Sequence, residues 1–402
     1  MRVRPYFGWY VVAACFSLAV FGWGLGFYGL GVYGVELHAR HGWPTGLLST
    51  ATTAFYLAGA LLLLFFADAV RRWGPRTAVL AGVLAMAVGT AGLPFVRALW
   101  QVYAAHLVMA IGWAAMSSTA IATLLAPWFD RRRGLAISIA LSGASGGGIV
   151  MTPVLLGLIG RWGFGAGMVT VDALMLLLLV PLLWGALGPP GPVRPAAAVA
   201  PYGRGAAVRD VRFWGVAAPF ALGLTAQVGF LTHQVALLAP RLGATEAGLA
   251  VSVTGAMALL GRVGLGLVID ALEVRWATAA VLASQAAALL LLALAGPASR
   301  PATYVACAVF GLSVGNLITL PALVVQREFP AASFGTVVGL STAIGQVTYA
   351  FGPALVGLVH DATGGYGASL GVCIGLELAG AAAILVRPRR TARDELRAAR
   401  PA

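Results

Sequence analysis

The 402-residue chain contains no lysine, and only 10% of its residues are charged. Soluble domains carry about 25% charged residues, so a water-soluble fold is excluded. Its three cysteines, Cys15, Cys307 and Cys373, all lie in apolar stretches. A disulfide-stabilised scaffold is therefore not expected either. Acidic residues are also few, 13 against 26 arginines.

Long apolar stretches dominate the sequence instead. Hydrophobic residues make up 60% of the chain and the mean hydropathy is +0.90. A bilayer-spanning helix needs about 20 apolar residues. On this basis we predict an all-α integral membrane protein with twelve transmembrane helices near 9–33, 46–66, 77–95, 99–127, 134–159, 164–187, 213–238, 247–269, 277–295, 302–325, 334–359 and 367–386.

The arginines alternate between the gaps that separate these stretches. Twenty of them lie at the two ends and in every second gap, five lie in the other gaps, and Arg262 lies inside a predicted helix. Short cytoplasmic segments of membrane proteins collect positive charge. We therefore predict a multi-pass protein of a prokaryotic inner membrane with both termini cytoplasmic. The net charge of +13 would face anionic lipid headgroups, and nucleic-acid binding is not expected.

The chain divides into two similar halves. We predict an N-terminal six-helix bundle at 1–187, a Pro/Gly/Ala-rich cytoplasmic linker at 188–210, a C-terminal six-helix bundle at 211–386, and a basic cytoplasmic tail at 387–402. Asp68 and Asp270 are 202 positions apart, each after the second helix of its half. Trp162 and Gly364 begin matching five-residue segments at the same spacing. A repeated spacing of this kind indicates an internal duplication.

Two short motifs would suggest an enzyme, but their context excludes that interpretation. Gly24 to Gly29 fits the dinucleotide-binding pattern G-x-G-x-x-G, and Gly143 to Gly147 fits the G-x-S-x-G pattern of hydrolases. Both patterns require a preceding β-strand, which cannot exist inside a lipid-embedded helix. Small residues that allow helices to pack closely explain both motifs. No enzymatic activity, metal or cofactor is expected.

Several segments resemble the major facilitator superfamily, and within it most closely the monocarboxylate and oxalate/formate transporter branch. The segments are Trp128 to Ala136 with Gly143 to Gly148 and Pro153, Phe334 to Tyr366, Gly42 to Pro44, and Gly261 with Arg262. The resemblance covers nearly the whole chain. It implies two pseudo-symmetric six-helix bundles and secondary transport of a small organic anion, with a monocarboxylate favoured, by alternating access. Transport would be driven by ion or substrate gradients.

Charged residues in the basic gaps resemble the gating motifs of this superfamily, in which an aspartate and arginines brace helix ends. The candidates are Asp68, Arg76, Asp270, Arg275, Arg131, Arg132 and Arg133. The first motif departs from the family pattern, because Asp68 precedes its glycine, Gly74, by six residues rather than three. In the second motif Glu273 replaces the glycine. Solvated charges that serve only topology remain the alternative for each.

Arg262 is the strongest candidate for a substrate-binding residue. It lies eight residues before Asp270, or about 12 Å into the membrane, where an arginine costs roughly 2.5–3.5 kcal/mol. A water-filled cavity with an anionic substrate would offset that cost. The resemblance implies that the arginine at this position binds the carboxylate of the substrate. The alternative is a guanidinium that snorkels to the interface or pairs with a neighbouring helix.

Further polar residues in the spans are candidates for lining a substrate cavity. They are Tyr28, Trp113, His233, Gln234, Asn316 and Gln346. The alternative for each is a hydrogen bond that joins neighbouring helices. Asp172 and Glu377 are intramembrane carboxyl groups and hence candidates for carrying a coupling proton. Both lie in the last helix of their half, which is peripheral in the superfamily, so a structural role is the alternative.

The absence of lysine narrows the substrate. In the oxalate transporters of the branch that this chain resembles, a lysine of the eleventh helix accompanies the arginine. This chain has Gln346 and its neighbours in that helix instead. One fixed cation favours a monoanion over a dianion. Proton-coupled members carry an aspartate one turn before the arginine, and Ala258 stands there.

The partners expected are thus a small anion and the lipid bilayer, with a coupling proton as a further candidate, and the protein is expected to be monomeric. The rival functions are a drug or toxin efflux antiporter and a membrane receptor or scaffold that does not transport.

Overall fold

A computed structural model describes residues 6–125, 127–129, 133–188, 204–295, 299–329 and 334–386. Within this part the regular structure is helical throughout. Twelve long helices follow one another, with one short additional helix at Arg204–Arg209. Their bounds are α1 Gly8–His41, α2 45–73, α3 75–95, α4 Leu99–Leu125, α5 133–162, α6 164–186, α7 Val211–Leu242, α8 Ala244–Val268, α9 Val274–Leu294, α10 300–328, α11 334–363 and α12 Tyr366–Leu385.

Ten helical stretches of the described residues are long and apolar enough to cross a bilayer. One of them, Ala136–Ala186, has 51 residues, whereas a single crossing needs about 20. It reverses at Gly163 and therefore contributes both α5 and α6. α10 is interrupted by turns between Val314 and Leu320, so it does not count among the ten. Twelve crossings result, and the predicted all-α membrane fold is confirmed.

Glycine allows the sharpest reversals between helices. Gly74 has φ 80° and ψ 156°, and Gly163 has φ 79° and ψ 165°. This combination of angles is essentially restricted to glycine, because a Cβ would clash with the backbone. Pro75 follows the first reversal, at the start of a helix, where its missing N–H costs nothing. The two glycines thus let consecutive helices fold back against each other without a longer loop.

The first helix is longer than its apolar stretch predicts. We expected it to end near residue 33, and the structure continues it to His41. The additional turns carry Glu36 and Arg40, which form an i,i+4 ion pair at 3.8 Å. Basic side chains at His38, Arg40 and His41 also complement the helix dipole in its last turns. Polar residues therefore extend the helix beyond the apolar stretch.

The helices form two bundles, each around its own core. The buried apolar residues of α1–α6 form one cluster, which Val228, Val235, Val251 and Ala350 of the other bundle join, and the rest of α7–α12 form two others. We name the two ends of the molecule by their helix termini. The basic end carries Arg71, Arg76, Arg212, Arg275 and Arg327. The opposite, distal end carries the turns at Gly42, Gly163, Gly243 and Gly364.

Close backbone contact between α8 and α10 positions the region around Arg262. A Cβ at Gly261 would lie 1.9 Å from the carbonyl oxygen of Leu312. Asn316 crosses the same contact, because its Nδ2 donates hydrogen bonds to the carbonyls of Gly261 and Leu312. A glycine at position 261 is therefore required for the two helices to approach this closely.

We predict that Gly261→Ala lowers the thermal stability of the purified protein, because the added methyl group must separate α8 from α10. Overpacking of this kind typically costs about 1–3 kcal/mol, which should appear as a melting temperature lower by several degrees. Gly264→Ala is the matched control, since a Cβ there meets nothing within 4 Å. Equal melting temperatures for the two variants would contradict the tight contact.

Candidate functional site

The two bundles meet along α5 and α8 through small residues. A Cβ at Gly255 would lie 3.0 Å from the backbone of Gly148 and Ile149, so an added side chain at this position of α8 would press against α5. The Ser252 hydroxyl donates a hydrogen bond to the carbonyl of Ile149 at 2.7 Å. Nearer the distal end, Gly248 packs against Pro153. The contact between α5 and α8 thus covers their middle and distal parts.

A second line of contacts joins α2 to α11. Near the distal end, the Asp361 carboxylate accepts a hydrogen bond of 2.6 Å from the backbone N–H of Gly46. Gly46 lies in the first turn of α2, where unpaired N–H groups and the helix dipole favour an anion. Asp361 therefore caps a helix of the other bundle. Towards the middle, the rings of Tyr56 and Tyr349 are 5.6 Å apart in an edge-to-face arrangement.

His233 of α7 adds a third connection between the bundles. Its Nε2 lies 3.0 Å from the Ser49 hydroxyl of α2 and 3.0 Å from the Pro353 carbonyl of α11. Its Nδ1 lies 3.1 Å from the Tyr366 hydroxyl. This histidine is 4% exposed. We predicted His233 as a residue of the substrate cavity; it lies in a buried junction between the bundles, and its role in substrate binding stays a prediction.

Towards the basic end the bundles separate. α2 and α11 are antiparallel, and two turns beyond the contact of Tyr56 with Tyr349 the same helix faces carry Leu63 and Thr342. Leu63 is partly exposed and Thr342 is exposed, so the two faces do not bury each other there. The hydrogen bonds found between the two bundles, within the described ranges, all lie in the middle or distal part. The structure is therefore closed at the distal end and parted at the basic end.

Arg262 lies where the bundles separate. It is partly buried in α8, and its Nε donates a hydrogen bond of 3.3 Å to the Gly315 carbonyl. A Cβ at Gly315 would lie 3.1 Å from the same nitrogen, so the glycine leaves room for the guanidinium. No ion pair with a carboxylate was found for Arg262 among the residues that the structure describes. A charge within a membrane helix thus lacks a protein counter-charge there.

Tyr28 of the other bundle lies near this guanidinium, and Tyr56 and Tyr349 follow it along the boundary between the bundles. The Tyr28 hydroxyl of α1 is close enough to interact electrostatically with Arg262, across the boundary between the bundles. Gly148 lies against the Tyr28 ring, where a Cβ would be 2.6 Å from Cζ. Tyr56 is near Tyr28, and Tyr349 interacts with Gln346. Arg262, Tyr28 and Gln346 were predicted from the sequence, whereas Tyr56 was not, because nothing in its local pattern distinguishes it from a core tyrosine.

Three other predicted cavity residues pack within a single bundle. Trp113 is buried in the N-terminal bundle, with its ring 5.2 Å from that of Trp23. Gln234 donates a hydrogen bond from Nε2 to the Thr254 hydroxyl at 2.9 Å, and Asn316 joins α10 to α8. For Gln234 and Asn316 these bonds match the alternative of helix-joining contacts. Their assignment to a substrate site stays a prediction.

The two intramembrane carboxyl groups lie away from Arg262. Asp172 Oδ1 accepts a hydrogen bond of 2.8 Å from the Thr90 hydroxyl, inside the N-terminal bundle. Glu377 is fully buried in α12, and neither carboxylate oxygen has a hydrogen-bond partner among the described residues. A Cβ added at Gly223 of α7 would lie 3.3 Å from one of these oxygens. Both positions fit a protonated structural group, and their role in proton coupling stays a prediction.

The described gating candidates bond within their own bundle. Asp68 pairs with Arg71, and Arg76 donates to the Leu187 carbonyl. Arg275 is 2% exposed and donates to Glu328 at 2.6 Å, which joins α9 to α10. The side chains of Asp270 and Arg133, and all of Arg131 and Arg132, lie outside the described residues. In this conformation, therefore, Asp68, Arg76 and Arg275 strengthen each bundle rather than link the two.

The fold and the split between the bundles define the class of this protein, a multi-pass membrane transporter and not an enzyme. The sequence profile described as Major Facilitator Superfamily matches residues 12–353. The chain belongs to this superfamily.

Curated relatives and solved structures agree with that membership. The chain is 28% identical over 338 residues to "Monocarboxylate transporter 11" of Homo sapiens, covering 79% of this chain and 70% of the relative. It is 28% identical over 324 residues to "Monocarboxylate transporter 13" of Bos taurus, covering 79% and 74%. The crystal structure of the nucleoside transporter NupG superposes with a TM-score of 0.73 at 11% identity, covering 95% of this chain and 100% of that chain. The last similarity concerns the fold alone.

We predict that cysteines at Ser49 and Gly357 form a disulfide under mild oxidation, because their Cβ atoms would start 2.8 Å apart and a separation of the helices by about 1 Å gives the usual disulfide spacing of about 3.8 Å. The cross-linked protein should lose transport, since the bundles can no longer part at the distal end. The control pair, at Leu63 and Thr342, lies on the facing sides of the same two helices towards the basic end and should not cross-link in this conformation. Gel mobility before and after reduction measures both. Equal cross-linking of the two pairs would contradict the asymmetric closure.

Proposed function

We propose that the protein is a secondary transporter of a small organic monoanion, with a monocarboxylate as the preferred substrate, and that it works by alternating access. The observation that carries the proposal is Arg262, a membrane-embedded guanidinium between the two bundles for which the described residues offer no carboxylate. The curated relatives are named as monocarboxylate transporters, which supports the same class of substrate.

The physical argument starts from the cost of the buried charge. An arginine in a membrane helix is unfavourable by roughly 2.5–3.5 kcal/mol, and one hydrogen bond to the Gly315 carbonyl offsets only part of it. A carboxylate that binds the remaining N–H groups would supply both charge and hydrogen bonds in the planar geometry that guanidinium favours. Tyr28, from the other bundle, can donate an O–H to the same anion. Substrate would then contact both bundles at once.

The single cation also limits the substrate. The chain has no lysine, and Gln346 and Tyr349 stand on the α11 face near the boundary, so a second carboxylate would find neutral partners there. A monoanion leaves no charge uncompensated. The rival function, efflux of a cationic drug, would place like charges together at Arg262.

Alternating access follows from the asymmetric contact between the bundles. If the basic end is cytoplasmic, as the arginine distribution predicts, this conformation opens to the cytoplasm. The opposite conformation requires the distal contacts at Asp361, His233 and Ser252 to break. Because α5 and α8 meet through glycines at 148 and 255, their backbones can slide without side chains interlocking. Rocking of rigid bundles of this kind is the general mechanism for such folds.

We predict that Arg262→Ala lowers the initial rate of uptake of labelled lactate, pyruvate or formate into proteoliposomes by about 10- to 100-fold, from the loss of a charged hydrogen bond of about 1.5–3 kcal/mol. Arg262→Lys should retain more activity than Arg262→Ala, because it keeps the charge but loses the bidentate geometry.

The matched control is Arg300→Ala. This arginine forms an exposed ion pair with Glu246, so its removal should change uptake little. Correct folding of each variant is checked by its melting temperature and elution profile. Undiminished uptake by Arg262→Ala for all tested anions would contradict the assignment of Arg262, and the absence of anion uptake by the wild-type protein would contradict the substrate class.

A further inference from the structure

A cavity of about 530 Å³ opens between the bundles at the distal end, away from Arg262. Its walls come from α1, α2, α4, α7, α11 and the start of α12. Its lining includes His38, His106, His233, His360 and Arg241. These are four of the five histidines in the chain. Acidic residues are absent from the lining found in the described part of the chain, so the cavity gathers basic groups without matching acids.

Two of these histidines have a nitrogen free for a ligand. His106 Nδ1 lies 2.9 Å from the Val102 carbonyl, and His38 Nδ1 lies 2.8 Å from the Trp43 carbonyl. A carbonyl can only accept, so Nδ1 carries the hydrogen in both rings and Nε2 is left as the basic nitrogen. No hydrogen-bond partner for either Nε2 was found among the described residues. His106 is 3% exposed and lines the cavity, so a ligand can reach its Nε2 from that side.

The other basic groups of the cavity are already engaged. His233 bonds to Ser49, Pro353 and Tyr366 as described above, and His360 Nδ1 lies 3.1 Å from an oxygen of Asp361. Arg241 Nη1 donates to the carbonyls of Leu292 and Ala295 at 3.0 Å and 3.5 Å. These two bonds hold the Arg241 guanidinium, a permanent positive charge, at the wall of the cavity.

The charged and titratable groups around His106 and His38 can be followed helix by helix. α2 contributes only hydroxyl groups, at Thr45, Ser49 and Thr52. α7 contributes His233 and Arg241, α11 contributes His360 with its bound Asp361, and α12 contributes Tyr366. On α1 itself, Glu36 pairs with Arg40 and is not part of the lining. The nearest carboxylates are therefore both held by other groups.

We propose that this cavity is an outer binding site for a small carboxylate, separate from Arg262, and that it takes up the anion together with one proton at His106 and His38. The proposal rests on the substrate class proposed above. A neutral imidazole Nε2 cannot donate to a carboxylate, whereas an imidazolium can. Equally, a neutral Nε2 can accept from a protonated acid. In either form, assembling the complex from a neutral imidazole and a carboxylate takes up one proton from solution.

The floor of the cavity shows what the site would do in transport. It is closed by Gly31, which packs against the Thr232 carbonyl, and by the bond between Ser49 and His233. Both contacts join one bundle to the other. A carboxylate bound in the cavity therefore waits outside the closed distal contacts and can move towards Arg262 only when the bundles part there.

The test is calorimetric titration of purified Arg262→Ala protein with propionate, which isolates the outer site from the inner one. We expect binding to persist, and the affinity to fall by up to tenfold for each pH unit between pH 6 and 8. The sign follows from linkage, because a complex that takes up a proton is favoured at low pH. At pH 8, where a free imidazole is neutral, titration in two buffers of different ionisation enthalpy should show uptake of about one proton per anion, consistent with that linkage.

Variants of the histidines test the location. In the Arg262→Ala background, His38→Gln with His106→Gln should weaken binding at pH 6 at least tenfold, whereas His41→Gln should leave it unchanged. His41 is the fifth histidine and stacks on Trp43 outside the cavity. Because His106 is buried, His38→Gln alone, at an exposed position, should still weaken binding several-fold if the double variant fails to fold.

Three results would overturn the proposal. They are no propionate binding by Arg262→Ala at pH 6, binding of equal strength at pH 6 and 8, which would indicate Arg241 acting alone, and equal loss in the His41 and His38 variants. None of these bears on whether Arg262→Ala abolishes uptake in proteoliposomes. Failure of the outer site is thus distinguishable from failure of the proposed function.

Discussion

The close approach of helices through residues without side chains is the constraint on which the rest of the structure depends. In a bilayer, lipid is as apolar as leucine, so helices associate by packing and hydrogen bonding rather than by the hydrophobic effect. Gly148 and Gly255 let α5 and α8 touch backbone to backbone, and Gly148 also receives the ring of Tyr28. That contact brings a tyrosine of one bundle to an arginine of the other.

Polar groups as well as small residues make the contacts between the bundles, and this suits an interface that must open and close. Asp361 caps the first turn of α2 with one carboxylate oxygen, and His233 bonds to Ser49 through one imidazole nitrogen. Each group could exchange its partner for water when the bundles separate, at modest cost. By contrast, Arg275 is buried and bonded to Glu328 and to the Ile384 carbonyl. Breaking that set would leave a buried charge unpaired, so each bundle is expected to move as a rigid unit.

Much of the fold could be predicted from local sequence patterns. Apolar stretches of about 20 residues indicated twelve crossings, and Gly163 separates two of them in an otherwise continuous helix. Helix ends were less predictable, because Glu36 and Arg40 extend α1 beyond its apolar residues. Within the site, Arg262 was recognisable as a charge inside an apolar stretch. Gln234 and Asn316 carry the same polar signal, yet they bond within the C-terminal bundle, since a polar residue does not encode which neighbour it meets.

The sequence by itself determined that the chain is a helical membrane protein with one arginine deep in a span, because hydropathy and charge are local properties that a bilayer sorts directly. Only the tertiary structure decided what that arginine faces, which end of the bundles is closed, and that four histidines from α1, α4, α7 and α11 line one cavity. These features depend on residues up to 315 positions apart, such as Gly46 and Asp361. Their proximity is a consequence of how two bundles pack, which no local pattern of residues specifies.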